Sequence, residues 1–307
     1  MEEGHSNGRR AFYGKGGIKT VAEKDISEKV LLSHADVFAD CVNALAYGGR
    51  ARLRAEAMRR APTESFLRGS KRMHNQFCDL SFYLMEQEKA VLQYILGNET
   101  RLGRHQVLRK ACYLGGAYRA QIESGEIYPV VGMVLDWTRK STRLPLSLHS
   151  LLEQSGASQE DLQLVDEVQL PVWHMKKLSK KVRKRFTSDL GFVVDFLNEG
   201  NFEGRKNQKI CHPEALCEMM EALTGDYRFT DLIGELQERQ RKKEEVMMCE
   251  YIDMLEARGE VRGEVRGESR LASLLSKLYA LGRDEDAKLA VNDKQARVRL
   301  YEELCIE

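Results

Sequence analysis

Nothing in the cysteine pattern supports a disulfide scaffold or a zinc module. The seven cysteines, Cys41, Cys78, Cys112, Cys211, Cys217, Cys249 and Cys305, are odd in number and scattered, with no Cys-x-x-Cys pair. Such a set reads as reduced thiols, most of them small buried hydrophobes. Long apolar runs are also missing. The longest, residues 128–135, is interrupted by Pro129 and falls far short of the ~20 residues that cross a bilayer. The first eight residues are polar, without the apolar segment that marks a secretory signal. These absences predict a cytoplasmic protein with no membrane partner. Net charge is nearly absent too. The 48 basic side chains face 47 acidic ones, for a net charge of +1, so nucleic-acid contact has to come from local basic patches and not from a field over the whole molecule.

What is present is enough apolar material for a core: 42% of 307 residues are hydrophobic, sufficient for one large domain or two. The pattern centres on residues 78–100. Two β-type runs, 80–84 and 90–96, flank a short polar connection at Glu86, Gln87 and Glu88, which predicts a hairpin. Upstream, residues 25–47 read as one helix with an apolar stripe of Phe38, Val42 and Leu45, while Asp36, Asp40 and Asn43 share the opposite, solvated face. Gly48 and Gly49 end it. Downstream, residues 105–123 read as a helix that packs Leu108, Cys112, Gly115 and Ile122 along one side. Residues 128–135 form a buried strand and residues 168–173 another. Strand, hairpin, helix, strand predicts an α/β fold with a mixed sheet flanked by helices. The expected division is a leader over 1–22, the α/β domain over 23–200 and a mostly helical C-terminal region over 201–307.

The remainder is dominated by charge. Met175, Leu178, Val182 and Phe186 trace a helical stripe among lysines and arginines. Residues 232–255 read as a long charged helix. Residues 258–268 repeat Arg-Gly-Glu with a period of four, and each glycine costs about 1 kcal/mol relative to alanine inside a helix. If that repeat is helical, its glycines line one stripe suited to a second helix, which makes a homo-oligomer through the C-terminal helices an expectation. Arg101, Arg104, Arg119 and Gln121 around the second helix, with Lys180 and Lys181 further on, are candidate phosphate contacts.

Two acids frame the hairpin. Asp79 stands before its first strand and Glu99 just past the apolar core of the second. Alternate strand residues point to one face, so the arrangement can aim two carboxylates at one hard divalent cation beside a phosphodiester. Other constellations are weaker. Gly14-Lys15-Gly16-Gly17 has the wrong spacing for a phosphate loop, His105 has no partner at metal-ligand spacing, and Cys211, His212 and Cys217 fit no zinc pattern.

The order of these pieces resembles a known family. Asp36-Val37-Phe38-Ala39-Asp40, then Asp79 and the hairpin, then Gly97-Asn98-Glu99-Thr100, then Ala117-Tyr118-Arg119-Ala120-Gln121, and the Arg-Gly-Glu repeats are similar to the recombination-promoting nucleases, also described as transposases, of the PD-(D/E)XK superfamily. The resemblance runs from about Glu23 to the end. It implies a restriction-endonuclease-like fold and a DNA endonuclease in which Asp79 and Glu99, with Asp40 added from the first helix, hold Mg2+ or Mn2+. It also implies DNA as partner and recombination as setting. Gly97 stands where the family carries an acid, and Glu99 where it carries Gln or Lys. The alternative implied by that departure is a catalytically impaired relative acting as a DNA-binding or protein-interaction module.

Overall fold

The computed structural model describes residues 29–68, 73–77, 80–138 and 144–306. It divides into two compact units. One comprises the described residues through Arg205 together with Ile210–Gln237; the other comprises Lys206–Lys209 and Glu238–Glu307.

The first unit is α/β. After helix α1 (Ala35–Leu45) come strands β1 (Met58–Arg60), β2 (Glu64–Arg68), β3 (Met73–Phe77), β4 (Leu80–Glu86) and β5 (Lys89–Glu99). Helix α2 (Gln106–Ser124) crosses over to β6 (Val130–Asp136), and two short helices, α3 (Leu148–Glu153) and α4 (Gln159–Leu162), precede β7 (Val172–His174). Helices α5 (Lys180–Arg183), α6 (Leu190–Glu199) and α7 (Pro213–Thr224) follow. Strands β1 and β4 to β7 form a five-stranded sheet in the order β1-β4-β5-β6-β7, and β2 pairs separately with β3. β4 and β5 are antiparallel, whereas β5–β6 and β6–β7 are parallel, so the sheet is mixed as expected.

Local chemistry accounts for these elements. The β4–β5 hairpin turns on Gln87 and Glu88, both left-handed at φ 48° and 62°, the handedness that suits a two-residue connection between twisted strands. α2 closes on Gly125, whose φ of 75° would strain any residue with a Cβ. α1 covers the sheet through Phe38, whose ring lies 4.3 Å from that of Phe82 and 6.2 Å from that of Tyr94.

Several elements differ from the sequence expectation. Residues 25–28 lie outside the described part, and the single helix expected through to residue 47 is broken. A helical turn at 29–32 stops at Ser33 and His34, and the chain restarts at Ala35 with His34 extended at φ −74°, ψ 132°. The polar face of α1 is solvated only at its Asp36 end. Asp40 and Asn43 are buried. Asn43 brackets Leu53, donating to its carbonyl and accepting from its amide, both at 2.9 Å. Asp40 accepts from the amides and hydroxyls of Thr187 and Ser188 at 2.7–3.0 Å. On α2, Leu108 and Ile122 are exposed, because the side that meets the sheet carries Val107, packed with Leu102, Val134 and Leu170. The stripe expected over 175–186 is two separate turns. Leu178 is extended, Ser179 caps α5 from outside, and Arg183 is buried against Asp195 and Glu199 instead of lying on a basic surface. Arg205 joins the same Asp195, and its guanidinium lies flat on Gly191, where a Cβ would come within 2.4 Å of it.

The second unit is helical. The chain enters it along α8 (Ile233–Arg241), and the long charged helix expected over 232–255 is interrupted at Lys243, with φ 60°, before α9 (Met248–Ala280) begins. α9 carries all three Arg-Gly-Glu repeats as continuous helix, and extra Cβ atoms on Gly263 or Gly267 would meet nothing within 4 Å. Its far end packs Leu274 and Leu278 against α10 (Asp284–Asn292) and α11 (Lys294–Glu303) through Ala287, Ala290 and Leu300. No helix among the described residues is long and apolar enough to cross a membrane.

The burial of Asp40 generates a test. Replacing it with alanine leaves the Thr187 and Ser188 donors facing apolar atoms, and hydrogen bonds to a charged acceptor are worth about 1.5–3 kcal/mol. Asp40→Ala is therefore expected to lower unfolding free energy by about 2–4 kcal/mol in urea titrations, equally with and without magnesium. A loss seen only with magnesium present would give Asp40 a metal role instead.

Candidate active site

The site is built on the parallel half of the sheet. β5, β6 and β7 run the same way, so their carboxyl ends reach one edge, where α/β sheets bind their ligands. Each strand finishes on a polar residue. Glu99 pairs in register with Asp136, and Asp136 with His174, which spaces the three backbones by about 4.8 Å per strand. Asp136 is 1% exposed. Its carboxylate accepts from the Thr138 amide at 2.9 Å and hydroxyl at 3.1 Å, and pairs with Nδ1 of His174 at 2.5 Å. A proton on Nδ1 leaves Nε2 of the partly exposed imidazole as its acceptor, the arrangement by which a carboxylate orients a histidine.

On the α2 side of β5 and β6 lies a small open cleft, whose walls include Ile95, Gly97, Glu99, Arg109, Lys110 and Val134. Arg109 donates to Glu99 at 2.7 Å, to Gln106 Oε1 at 2.8 Å and to the Tyr113 hydroxyl at 3.1 Å. Lys110 threads its stem over Gly132, where a Cβ would approach Cε to 2.9 Å, and donates to the Gln169 carbonyl. Burial pushes the Lys110 ammonium below its ordinary range. The cleft thus combines one carboxylate with two cations, a charge pattern that admits an anionic group such as a phosphate.

The predicted residues are distributed unevenly around this cleft. Asp79 lies outside the described residues; the next residue described, Leu80, pairs with Leu96 at the same end of β5. Glu99 lines the cleft. Asp40 belongs to the Thr187–Ser188 network. Arg101, Arg104, Lys180 and Lys181 are exposed, and Arg119 pairs with Glu123 at 3.4 Å. Gln121 is a correction. It is 2% exposed, and its Oε1 accepts from the Tyr128 amide at 3.1 Å, so its side chain organises the turn into β6 and is closed to DNA. Sequence reasoning missed Asp136, His174 and Lys110. The signal for the first two was available: both directly follow runs read as strands, so each marks a carboxyl end of the sheet.

A second group of titratable side chains forms where α1 and α7 begin. His212 Nε2 lies 2.8 and 3.0 Å from the two oxygens of Asp36, and its ring stacks on His34 with centroids 3.8 Å apart. Burial, reinforced by the positive charge of His212, lowers the pKa of His34. Burial alone would raise that of Asp36, but the hydrogen bond and charge of His212 outweigh it, and the net direction is down. Asp189 beneath them is pushed up by burial, against the amides of His212 and Cys211 that it holds.

Lys110 supplies a pH test. Its folded pKa lies below the ordinary 10.5, so between the two values the unfolded chain binds more protons and stability rises with pH. Relative to Lys110→Met, the wild type is expected to gain unfolding free energy as pH climbs toward 10.5 in urea titrations. A difference flat with pH would mean that the ammonium is fully hydrated. In comparisons with known proteins, no family model, no curated protein and no solved structure matched this chain.

Proposed function

We propose that this chain is a divergent member of the recombination-promoting nuclease family, with a restriction-endonuclease-like α/β unit that hydrolyses DNA phosphodiester bonds with Mg2+ or Mn2+. One observation carries the reading. Helix, antiparallel hairpin, crossover helix and parallel strand bring Glu99 to the carboxyl end of the sheet, beside a cleft that also holds Arg109 and Lys110.

The donors present fit a hard cation in part. Glu99 offers carboxylate oxygens, although its side chain is only 14% exposed and is paired with the half-exposed Arg109, so an incoming cation has to displace that pair. Asp136 and Asp40 fit less well as direct ligands, because both oxygens of each already accept protein donors. Glu99, joined by Asp79 as the sequence resemblance implies, would hold the ion. Bound there, the metal supplies positive charge at the scissile phosphate and an acidified water. Arg109 and Lys110 bind phosphate oxygens. His174, oriented by Asp136, accepts a proton at Nε2.

A second reading, a non-cleaving relative that keeps the fold to bind DNA, is favoured by the absence of a side chain at Gly97. A Cβ there would lie 3.3 Å from Val134 Cγ2, so an acid returns only if Val134 gives by a few tenths of an ångström. Plasmid nicking in magnesium or manganese separates the two. Metal-dependent nicking that falls about 100-fold or more in both Glu99→Gln and Asp79→Ala is the expected result. Nicking that survives both substitutions would sink the nuclease reading. A silent wild type with nicking gained in Gly97→Glu would establish the second.

A further inference from the structure

The junction of α1 and α7 has no part in the reading above, yet it gathers three side chains of metal-ligating type. One ligand atom from each of His34, Asp36 and His212 lies within 4.8 Å of the other two. The three come from two helix starts. His34 is the extended residue before α1, Asp36 sits in its first turn, and His212 precedes Pro213 at the start of α7. These positions are 176 residues apart between Asp36 and His212, so the fold and not local sequence brings them together.

Two features distinguish the group from an incidental ion pair. The Asp36–His212 bond is complete by itself, and nothing in it requires a second imidazole; yet His34 lies stacked on His212 at 3.8 Å with 21° between the rings. Two imidazoles so placed repel one another when both are protonated, and both present lone pairs when neutral, the state in which histidine binds metal. The second feature lies beneath. Two helix N-termini meet here, and their dipoles would oppose a cation. The buried carboxylate of Asp189 offsets this by accepting the amides of Cys211 at 3.0 Å and His212 at 2.5 Å, which also fixes the backbone that carries the ligand. A buried second layer that positions a ligating histidine is what a metal site requires beyond its ligands. Asp36 remains open to solvent, leaving a face for water to complete the coordination.

We propose that His34, Asp36 and His212 form a binding site for a borderline divalent cation of the zinc class. Two imidazole nitrogens and one carboxylate oxygen suit Zn2+, Co2+ or Fe2+ and are poorly matched to Mg2+ or Ca2+, which favour all-oxygen shells. The set leaves at least one coordination position for water, so the site is an open one in kind. It is independent of the nuclease reading, which concerns oxygen donors at the end of β5.

The test is a titration of the metal-stripped full-length chain with cobalt(II) alone, followed by visible absorption and calorimetry. One cobalt per chain is expected, with affinity reduced more than about 100-fold in His34→Gln and in Asp36→Asn, and unchanged in Glu99→Gln. His212→Gln is included, but Asp189 ties that segment into the fold. Should it fail to fold by circular dichroism, His34→Gln and Asp36→Asn decide the matter. No stoichiometric cobalt binding by the wild type would overturn the proposal. So would binding that survives both of those substitutions, and so would binding lost in Glu99→Gln instead, which would place the ion at the cleft and support only the nuclease reading.

Discussion

A single carboxylate holds the first unit in its arrangement. Asp40 gathers four donors from Thr187 and Ser188, 147 residues away and more along the chain. A buried carboxylate is costly unless its lone pairs are filled, and here the filling is nearly complete, by charge-assisted bonds that are individually stronger than neutral ones. The consequence reaches well beyond two residues. α1 is fixed against the segment leading into α6, so its apolar face is held over Phe82 and Tyr94, and the sheet is covered. The His34–Asp36 end of the same helix is thereby set opposite His212. The Asn43 side chain, bonded to the Leu53 backbone, repeats the device one turn further on.

At the other side of the sheet, the decisive constraint is parallel pairing. Because β5, β6 and β7 share a direction, a residue at the end of each is delivered to the same edge by register alone. The core below is apolar, with Ile95, Leu96, Met133 and Val134 buried, so the polar ends are carried on a rigid base. α2 then closes one side and contributes Arg109 and Lys110. Asp136 is buried and pairs with His174, while Glu99 is ion-paired with Arg109.

Much of this could be read from the sequence. The hairpin, α2, β6 and the mixed sheet follow from alternation and from continuous apolar runs, and they are found where expected to within a few residues. What could not be read was which polar groups the fold would bury. Periodicity places Asp40 and Asn43 opposite Phe38, but the helix is covered on that side too beyond Asp36, and only the position of Thr187 reveals the second cover. Leu108 and Ile122 failed for the converse reason: α2 meets the sheet through Val107, and its other hydrophobic residues are surplus. The stripe at 175–186 failed because Ser179 caps a new turn in its middle. The His34–Asp36–His212 group was invisible because His212 joins the other two only through tertiary structure, and the break at Ser33–His34 that aims His34 left no glycine or proline as a signal.

The long helix α9 has a property that follows from its repeats. The turns carrying residues 258–268 are almost wholly exposed, and its buried residues lie near the two ends, Met248 and Tyr251 at one, Leu274 and Leu278 at the other. Every repeated unit is four residues, and four residues advance a helix by about 6 Å and turn it through about 400°. Gain or loss of one unit by slippage in the gene would therefore carry the terminal helical cluster along the rod and swing it by about 40°, without disturbing a packed residue at either end. The spacing of that cluster is in effect a length setting, adjustable in fixed steps.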